Sequence, residues 1–503
     1  MRPDSTEQIE IVVVGSGFSG LAMAAGLKRA GHTDFVVLER DDRVGGTWRD
    51  NTYPGCACDV PSHLYSFSFA LNPEWSSAFS PQPEIQRYIE TVAEREGLLP
   101  HVRFGCDLRQ ARWDENDHRW QLETSTGEIS ARVVISGAGP LNEPSIPAIP
   151  GLEGFPGKVF HSAEWDHEHD LDGERVAVVG TGASSIQFVP QIQPRVEKLD
   201  LYQRTAPWIM PRPDRPVTSF ERRLYRRFPA AQRLMRGGIY WAREAFAIPL
   251  IRARLAPVIK VLASRHLRRQ VPDPALRRKV TPDYAPGCKR ILVSNDYLPS
   301  LGKPNVEVLT DGIAEIRGRT VVGHDGGERE VDTIILGTGF HVTDLPVAGQ
   351  IRAADGRTLA EHWGGSMRAL RGTAVAGFPN LFFLLGPNTG LGHNSVVVMA
   401  EAQVGYVLKA LDRLRTDGVE AIEPRAEAQQ VWNDEIDRRS EGTVWTSGGC
   451  ASWYLDDTGR NATLWPDFSF RFVSAMRRFD PNEHLLHRPP PVHEEAPTPV
   501  AAG

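Results

Sequence analysis

The chain has 503 residues, 41% of them hydrophobic and 24% charged, with a net charge of −6 at pH 7. This length exceeds what one core usually holds, and the composition is that of an ordinary globular protein, so two to four domains are expected and a disordered or fibrous chain is excluded. The acidic balance argues against nucleic acid as a partner, and no apolar run approaches the ~20 residues that span a bilayer.

The start, MRPDSTEQIEIVVVG, carries too short an apolar run for a signal peptide. From Ile11 to Val14 it reads as a buried parallel strand. Gly15, Gly17 and Gly20 follow as G-x-G-x-x-G, then a helix (LAMAAGLKRAG) and a second strand (FVVLE) ending in Glu39. In such a unit the first glycine makes the tight turn, the second lets a pyrophosphate approach the backbone, and the third allows close helix–strand packing. The helix N-terminus offers amide dipoles to the phosphates, and Glu39 can accept hydrogen bonds from ribose hydroxyls.

The pattern returns at RVAVVGTGASSIQFVP, with Arg175 to Val179 as the strand, Gly180 and Gly182 in register, and Ser185 at the third glycine position. The next strand, LDLYQ, leads to Arg204. Glu39 lies 24 residues after Gly15, and Arg204 lies 24 residues after Gly180. An acid at that position suits a free 2′-hydroxyl, whereas an arginine suits a 2′-phosphate. The first site is therefore expected to hold FAD or NAD, and the second NADP(H). A chain with both is most simply a flavoenzyme reduced by NADPH.

Between 215 and 280 the chain reads as helices broken by prolines, with 17 Lys/Arg against 3 Asp/Glu, a net of +14 that leaves about −20 elsewhere. Leu224, Phe228, Trp241, Phe246, Leu250, Ile251 and Leu255 are placed on its helix faces. It reads as a subdomain packed on the second unit; a substrate-access wall and weak contact with an anionic membrane surface are compatible roles. The segments 131–140 and 331–340 are each a buried strand ending in G-x-G, suited to carry the chain out of the first unit and back. LFFLLGPNTGLGHNSVVVMAEAQ (381–403) reads as strand, loop and helix, with the helix N-terminus near Ser395 facing a flavin ring. The Trp-rich 447–468 segment is expected over the pocket.

The five cysteines, Cys56, Cys58, Cys106, Cys288 and Cys450, are odd in number and show no zinc-like spacing. No disulfide framework, no metal site and a reducing, cytoplasmic setting are expected.

The stretch FPGKVFHSAEWD, just before the second glycine loop, carries F-x-G-x-x-x-H-x-x-x-W followed by Asp, as Phe155, Gly157, His161, Trp165 and Asp166. With GGTWRDNTYPGCACD (45–59) and PGCKR (286–290), it resembles the class B flavin monooxygenases, and most closely the Baeyer–Villiger monooxygenases. The resemblance runs over about 8–480. It implies an α/β fold of two interleaved Rossmann-like domains with a helical insertion. The FAD domain would occupy 1–150 and 331–485, the NADP domain 151–214 and 281–330, the insertion 215–280, and a disordered Pro-rich tail 486–503.

The same resemblance implies roles. Glu39, Gly46, Thr47, Trp48, Asp59 and Tyr65 would contact FAD, and Ala57, Cys58 and Asp59 would lie where nicotinamide meets flavin. Thr181, Gly182, Ala183, Ser184, Ser185, Gln187, Gln203, Arg204 and Lys289 would hold NADP. Arg290 would be catalytic, with Asp59 orienting it. A ketone, O2 and NADPH would give an ester or lactone through a C4a-peroxyflavin and a tetrahedral Criegee adduct. Both species need a fixed positive charge, and an arginine cannot lose its proton to the peroxide. Oxygenation of nitrogen or sulfur, or hydroxylation, is the alternative within the class. A flavin disulfide reductase or redox-sensing binding protein, using Cys56 and Cys58, is the alternative outside it. The fingerprint stretch itself reads as a linker between domains, with Gly157 permitting a turn and His161 and Trp165 anchoring it.

Overall fold

The computed structural model describes residues 6–488. Two sheets organise it. The first has eight strands. Its centre is Glu7–Val14, flanked by Phe35–Leu38 on one side and Gly127–Ser136 on the other, both parallel to it. Leu381–Phe383 pairs with the end of Gly127–Ser136, so a segment late in the chain completes a sheet begun at residue 7. These strands are runs of Val, Ile and Leu because both faces are covered. Ile11, Val13, Val133 and Ile135 pack on one face, and Val12 and Val134 on the other.

The second sheet is a five-stranded parallel one, in the order Val306–Leu309, Lys198–Tyr202, Arg175–Val179, Thr333–Leu336, Lys158–His161. One boundary and one reading differ from expectation here. Thr333–Leu336 belongs to this sheet, so the return to the first unit falls after Leu336 rather than at 331. The fingerprint stretch is no free linker, because Lys158–His161 forms the edge strand of the second sheet. Neither pairing shows in local sequence, since parallel partners lie far apart along the chain.

The insertion is helical, with Ser219–Arg227, Pro229–Ile251, Ala256–Gln270 and Pro274–Lys279. Thr218 and Glu221 close a capping box on the first of these. No helix among the described residues is long and apolar enough to cross a membrane. At the C-terminal end, His484–His487 pairs antiparallel with Ala421–Pro424, so the expected tail does not begin at 486. Residues 489–503 lie outside the described part.

Candidate active site

The first glycine loop is built as its spacing requires. Gly15 has φ +91°, a left-handed conformation that other residues rarely adopt. A Cβ on Gly20 would lie 1.8 Å from the Gly15 carbonyl oxygen, so only glycine lets helix and strand meet there. Gly17 caps the helix Phe18–Arg29, and its nearest neighbours are the bare backbones of Gly45 and Gly46. Two glycine turns thus face each other and leave main chain without side chains, a cradle that fits a pyrophosphate.

Glu39 is buried at the end of Phe35–Leu38. It accepts hydrogen bonds from the Ser16 and Asp41 amides at 3.0 and 3.1 Å and pairs with the Arg49 guanidinium at 2.8 Å. Burial works against its charge, but Ser16 and Arg49 outweigh it and hold the carboxyl below its usual range. Arg49 was not foreseen. Its four-residue helix, Thr47–Asp50, carries it to Glu39, Asp41 and Asp50 together. In the same helix the Thr47 hydroxyl donates to the Leu141 carbonyl, and Trp48 Nε1 donates to the Tyr65 hydroxyl at 3.0 Å.

The second loop repeats the geometry. Gly180 has φ +106°, and a Cβ there would meet the Gly337 carbonyl oxygen at 2.4 Å. Gly182 and Ala183 are exposed and Ser184 is half-buried, while Ser185 is buried under the helix start with its hydroxyl unpartnered. The Thr181 hydroxyl donates to the Thr205 carbonyl. Arg204 is exposed. Lys289 is the more buried of these two cations; burial and, next, the like charge of Arg204 push its ammonium below the ordinary lysine value. Two cations that disfavour each other, set beside a glycine loop, fit a phosphate. Gln203 is buried instead, donating to the Lys279 carbonyl.

Where the two units meet, Arg290 makes a bidentate pair with Asp59, Nε and Nη2 each donating to a carboxylate oxygen at 2.7 Å. The Asp59 carboxylate raises the Arg290 guanidinium further above its ordinary value. For Asp59, burial works to raise the carboxyl, but Arg290 prevails and holds it down. Arg290 Nη1 also reaches toward the Leu391 carbonyl at 3.4 Å. A second guanidinium, unmarked by any motif, stands here. Arg243 of the helix Pro229–Ile251 donates to the Asp59 main-chain carbonyl at 2.8 Å. Around this point the buried Trp445 Nε1, Tyr454 hydroxyl and His393 Nδ1 lack protein partners. Polar atoms left so are costly unless a ligand or water takes them, which fits a cofactor-binding cleft.

Gln187 stands apart from the role suggested for it. Its amide accepts from the Ala57 N–H at 3.2 Å and from the Tyr53 hydroxyl, and donates to the Ala57 carbonyl at 2.9 Å. Gly55, at φ +78°, lets this segment come within contact of the Gln187 main chain. The amide therefore clasps the two units rather than pointing into the second loop.

The fingerprint residues make no contact with Arg290 or Asp59. A Cβ on Gly157 would lie 2.1 Å from the Asp332 carbonyl oxygen, so its glycine serves close approach, not a left-handed turn. Buried His161 accepts the Ala163 N–H on Nδ1 and lies edge-on to Phe340. Burial lowers its imidazole to about 4. Trp165 packs between Phe160 and Phe188, Phe155 is buried, and Asp166 pairs with Lys158.

One cysteine expectation changes. Cys288 and Cys450 form a disulfide across 162 residues of chain. The pairing was invisible to spacing. Cys56 and Cys58 remain free and buried, and burial pushes the Cys56 thiol up to about 12 and the Cys58 thiol up as well. Thiols held so firmly protonated are poor nucleophiles, which counts against a disulfide reductase.

Residues 12–221 match a family model described as pyridine nucleotide-disulphide oxidoreductase. A Baeyer–Villiger monooxygenase from Streptomyces coelicolor is 52% identical over 487 residues, spanning 96% of this chain and 94% of the relative. The crystal structure of cyclohexanone monooxygenase from Rhodococcus sp. Phi1 bound to NADP+ is similar with a TM-score of 0.86 at 26% identity, covering 96% of this chain and all of that one. The structure of OTEMO in complex with FAD and NADP is similar with a TM-score of 0.85 at 26% identity over the same shares.

Proposed function

This chain belongs to the Baeyer–Villiger monooxygenases, FAD enzymes that use NADPH and O2 to turn a ketone into an ester or lactone, and on that premise we propose that the Asp59–Arg290 pair is its chemical centre. The reading rests on one observation, the bidentate pair at the meeting point of two nucleotide units. The first glycine loop would hold FAD, which would supply the redox chemistry that links NADPH oxidation to oxygen activation. Gly15, Gly17, Gly20 and Gly46 clear the backbone for its pyrophosphate. Glu39, Thr47, Trp48 and Tyr65 line its side of the cleft. The second loop, from Gly180 to Ser185, with Arg204 and Lys289, receives NADPH, the two cations holding its 2′-phosphate.

Attack on a ketone by an oxygen nucleophile places negative charge first on the attacking oxygen and then on the carbonyl oxygen. Arg290 faces that charge as a cation that cannot give up its proton at neutral pH. Asp59 fixes the guanidinium plane and is its counterion, so that Arg290 can be held in a partly buried place. Arg243 bonds the Asp59 carbonyl and steadies the loop from behind.

The test is a ketone panel under labelled oxygen with product identification. The wild-type chain is expected to place one labelled oxygen in an ester or lactone. Arg290→Ala is expected to keep NADPH-driven flavin reduction while ester formation falls by about 10²–10³-fold, the usual loss on removing one such stabilising group. Ester formation surviving in Arg290→Ala would sink the assignment.

A further inference from the structure

Pro229–Ile251 has two unlike faces. Its inner face is polar and engaged. Arg236 donates to the carbonyls of His63, Leu64 and Ser66, Arg243 to that of Asp59, and Glu244 accepts from Asn394 and Ser469. Its outer face carries Leu234, Gly238, Trp241, Ala245 and Ile248 at helical spacing, all exposed. Leu234 is 78% and Trp241 59% exposed, and no charge interrupts the stripe. The next helix, Ala256–Gln270, adds Val258, Val261 and Leu262, between 52% and 67% exposed.

The same two helices are rich in cations and nearly free of carboxylates. From 222 to 270 there are thirteen Lys/Arg and a single acid, the buried Glu244. Arg233, Arg254, Lys260, Arg265, Arg268 and Arg269 are exposed, and none takes part in an ion pair among the described residues. Water alone does not account for such a face. Large exposed aliphatic and indole surface is unfavourable at about 25 cal/mol per Å², and a patch of this kind marks a contact site.

We propose that this helical hairpin docks on an anionic phospholipid bilayer, with Leu234, Trp241, Val258, Val261 and Leu262 entering the headgroup boundary and the surrounding cations meeting lipid phosphates. Charge complementarity selects this occupant. A second copy docking through the same face would set two strongly basic patches against each other, because a two-fold interface is self-complementary. Nucleic acid would use the cations and leave the aliphatic side chains without a partner. A bilayer satisfies both at once. The docked helix has its inner face at the Asp59 loop, so the membrane would lie about one helix diameter, ~10 Å, from the reaction centre. That arrangement suits a ketone that partitions into lipid.

The test uses the full-length FAD-loaded enzyme and vesicle flotation. Binding is expected to vesicles mixing phosphatidylglycerol with phosphatidylcholine, to weaken steeply with added salt, and to be at least about tenfold weaker on phosphatidylcholine alone. Leu234→Asp with Trp241→Asp, and separately Arg254→Glu with Lys260→Glu, are each expected to lose at least about tenfold of the binding. All four positions are exposed, so flavin content and turnover of a water-soluble ketone should stay unchanged, and that turnover reads the catalytic assignment independently. Absence of binding to anionic vesicles at low salt would overturn the proposal. So would undiminished binding by both variants, or sedimentation as an oligomer that the Leu234→Asp, Trp241→Asp variant dissolves.

Discussion

Arg204 follows the strand Lys198–Tyr202 at the position where the first unit carries Glu39, and the two side chains have opposite fates. Glu39 is enclosed by Ser16 and Arg49, whereas Arg204 stays exposed beside Lys289. Lys289 comes from the segment that also bears Arg290, so the proposed phosphate and chemical roles sit one residue apart. If Arg204 grips the 2′-phosphate, Arg204→Ala should raise the Michaelis constant for NADPH by about 10–100-fold, the worth of one or two charge-assisted hydrogen bonds, and leave that for NADH nearly unchanged. Equal changes for the two coenzymes in steady-state assays would remove Arg204 from the site. The glycines and this charge pair were legible because each answers a local demand. Arg49 and Arg243 were not, because their partners are carboxylates and carbonyls that only folding brings near.

The strand Lys158–His161 makes the same point for an element. Its fingerprint residues mark the family, yet they act by packing, since His161 touches Phe340 and the Ala163 amide rather than the Asp59–Arg290 pair. Burial holds this imidazole at about 4, below its ordinary 6.5 in an unfolded chain. Above about pH 6.5 neither state takes the proton and the full stability is present. As pH falls toward 4 the unfolded chain protonates first, so stability is lost across that window, by about 2 kcal/mol between pH 7 and pH 5. His161→Asn, whose amide oxygen can accept from Ala163, should flatten that part of the slope when melting temperatures are compared at the two pH values. An identical slope in the variant would mean that His161 already titrates normally.

At the scale of the whole molecule, the two nucleotide units are held in register by contacts across their boundary. The Gln187 amide bonds both main-chain groups of Ala57 across the boundary, and the apolar cluster that holds Val13 also holds Phe188 and Val178. Cys288–Cys450 ties the Arg290 segment to the loop that carries Tyr454. Gln187→Ala should therefore loosen the register of the two units, raising the NADPH consumed per ester formed by about tenfold if the three lost bonds are together worth about 1.4 kcal/mol. A higher Michaelis constant for NADPH with unchanged coupling would return Gln187 to coenzyme binding.

By itself the sequence determined the two nucleotide units, their opposite charges at Glu39 and Arg204, and the family, because glycine turns, buried strands and charge at a set spacing are short-range properties. Tertiary structure alone decided which strands share a sheet, that Thr333–Leu336 returns to the second unit, that Gln187 faces Ala57, and that Cys288 meets Cys450. It also decided which face of the basic insertion is buried. Helical spacing defines two faces of Pro229–Ile251, but only the packing of Arg236 and Arg243 against the first unit leaves Leu234 and Trp241 outside. Contacts between residues far apart in the chain depend on how the elements dock, and no local pattern encodes them.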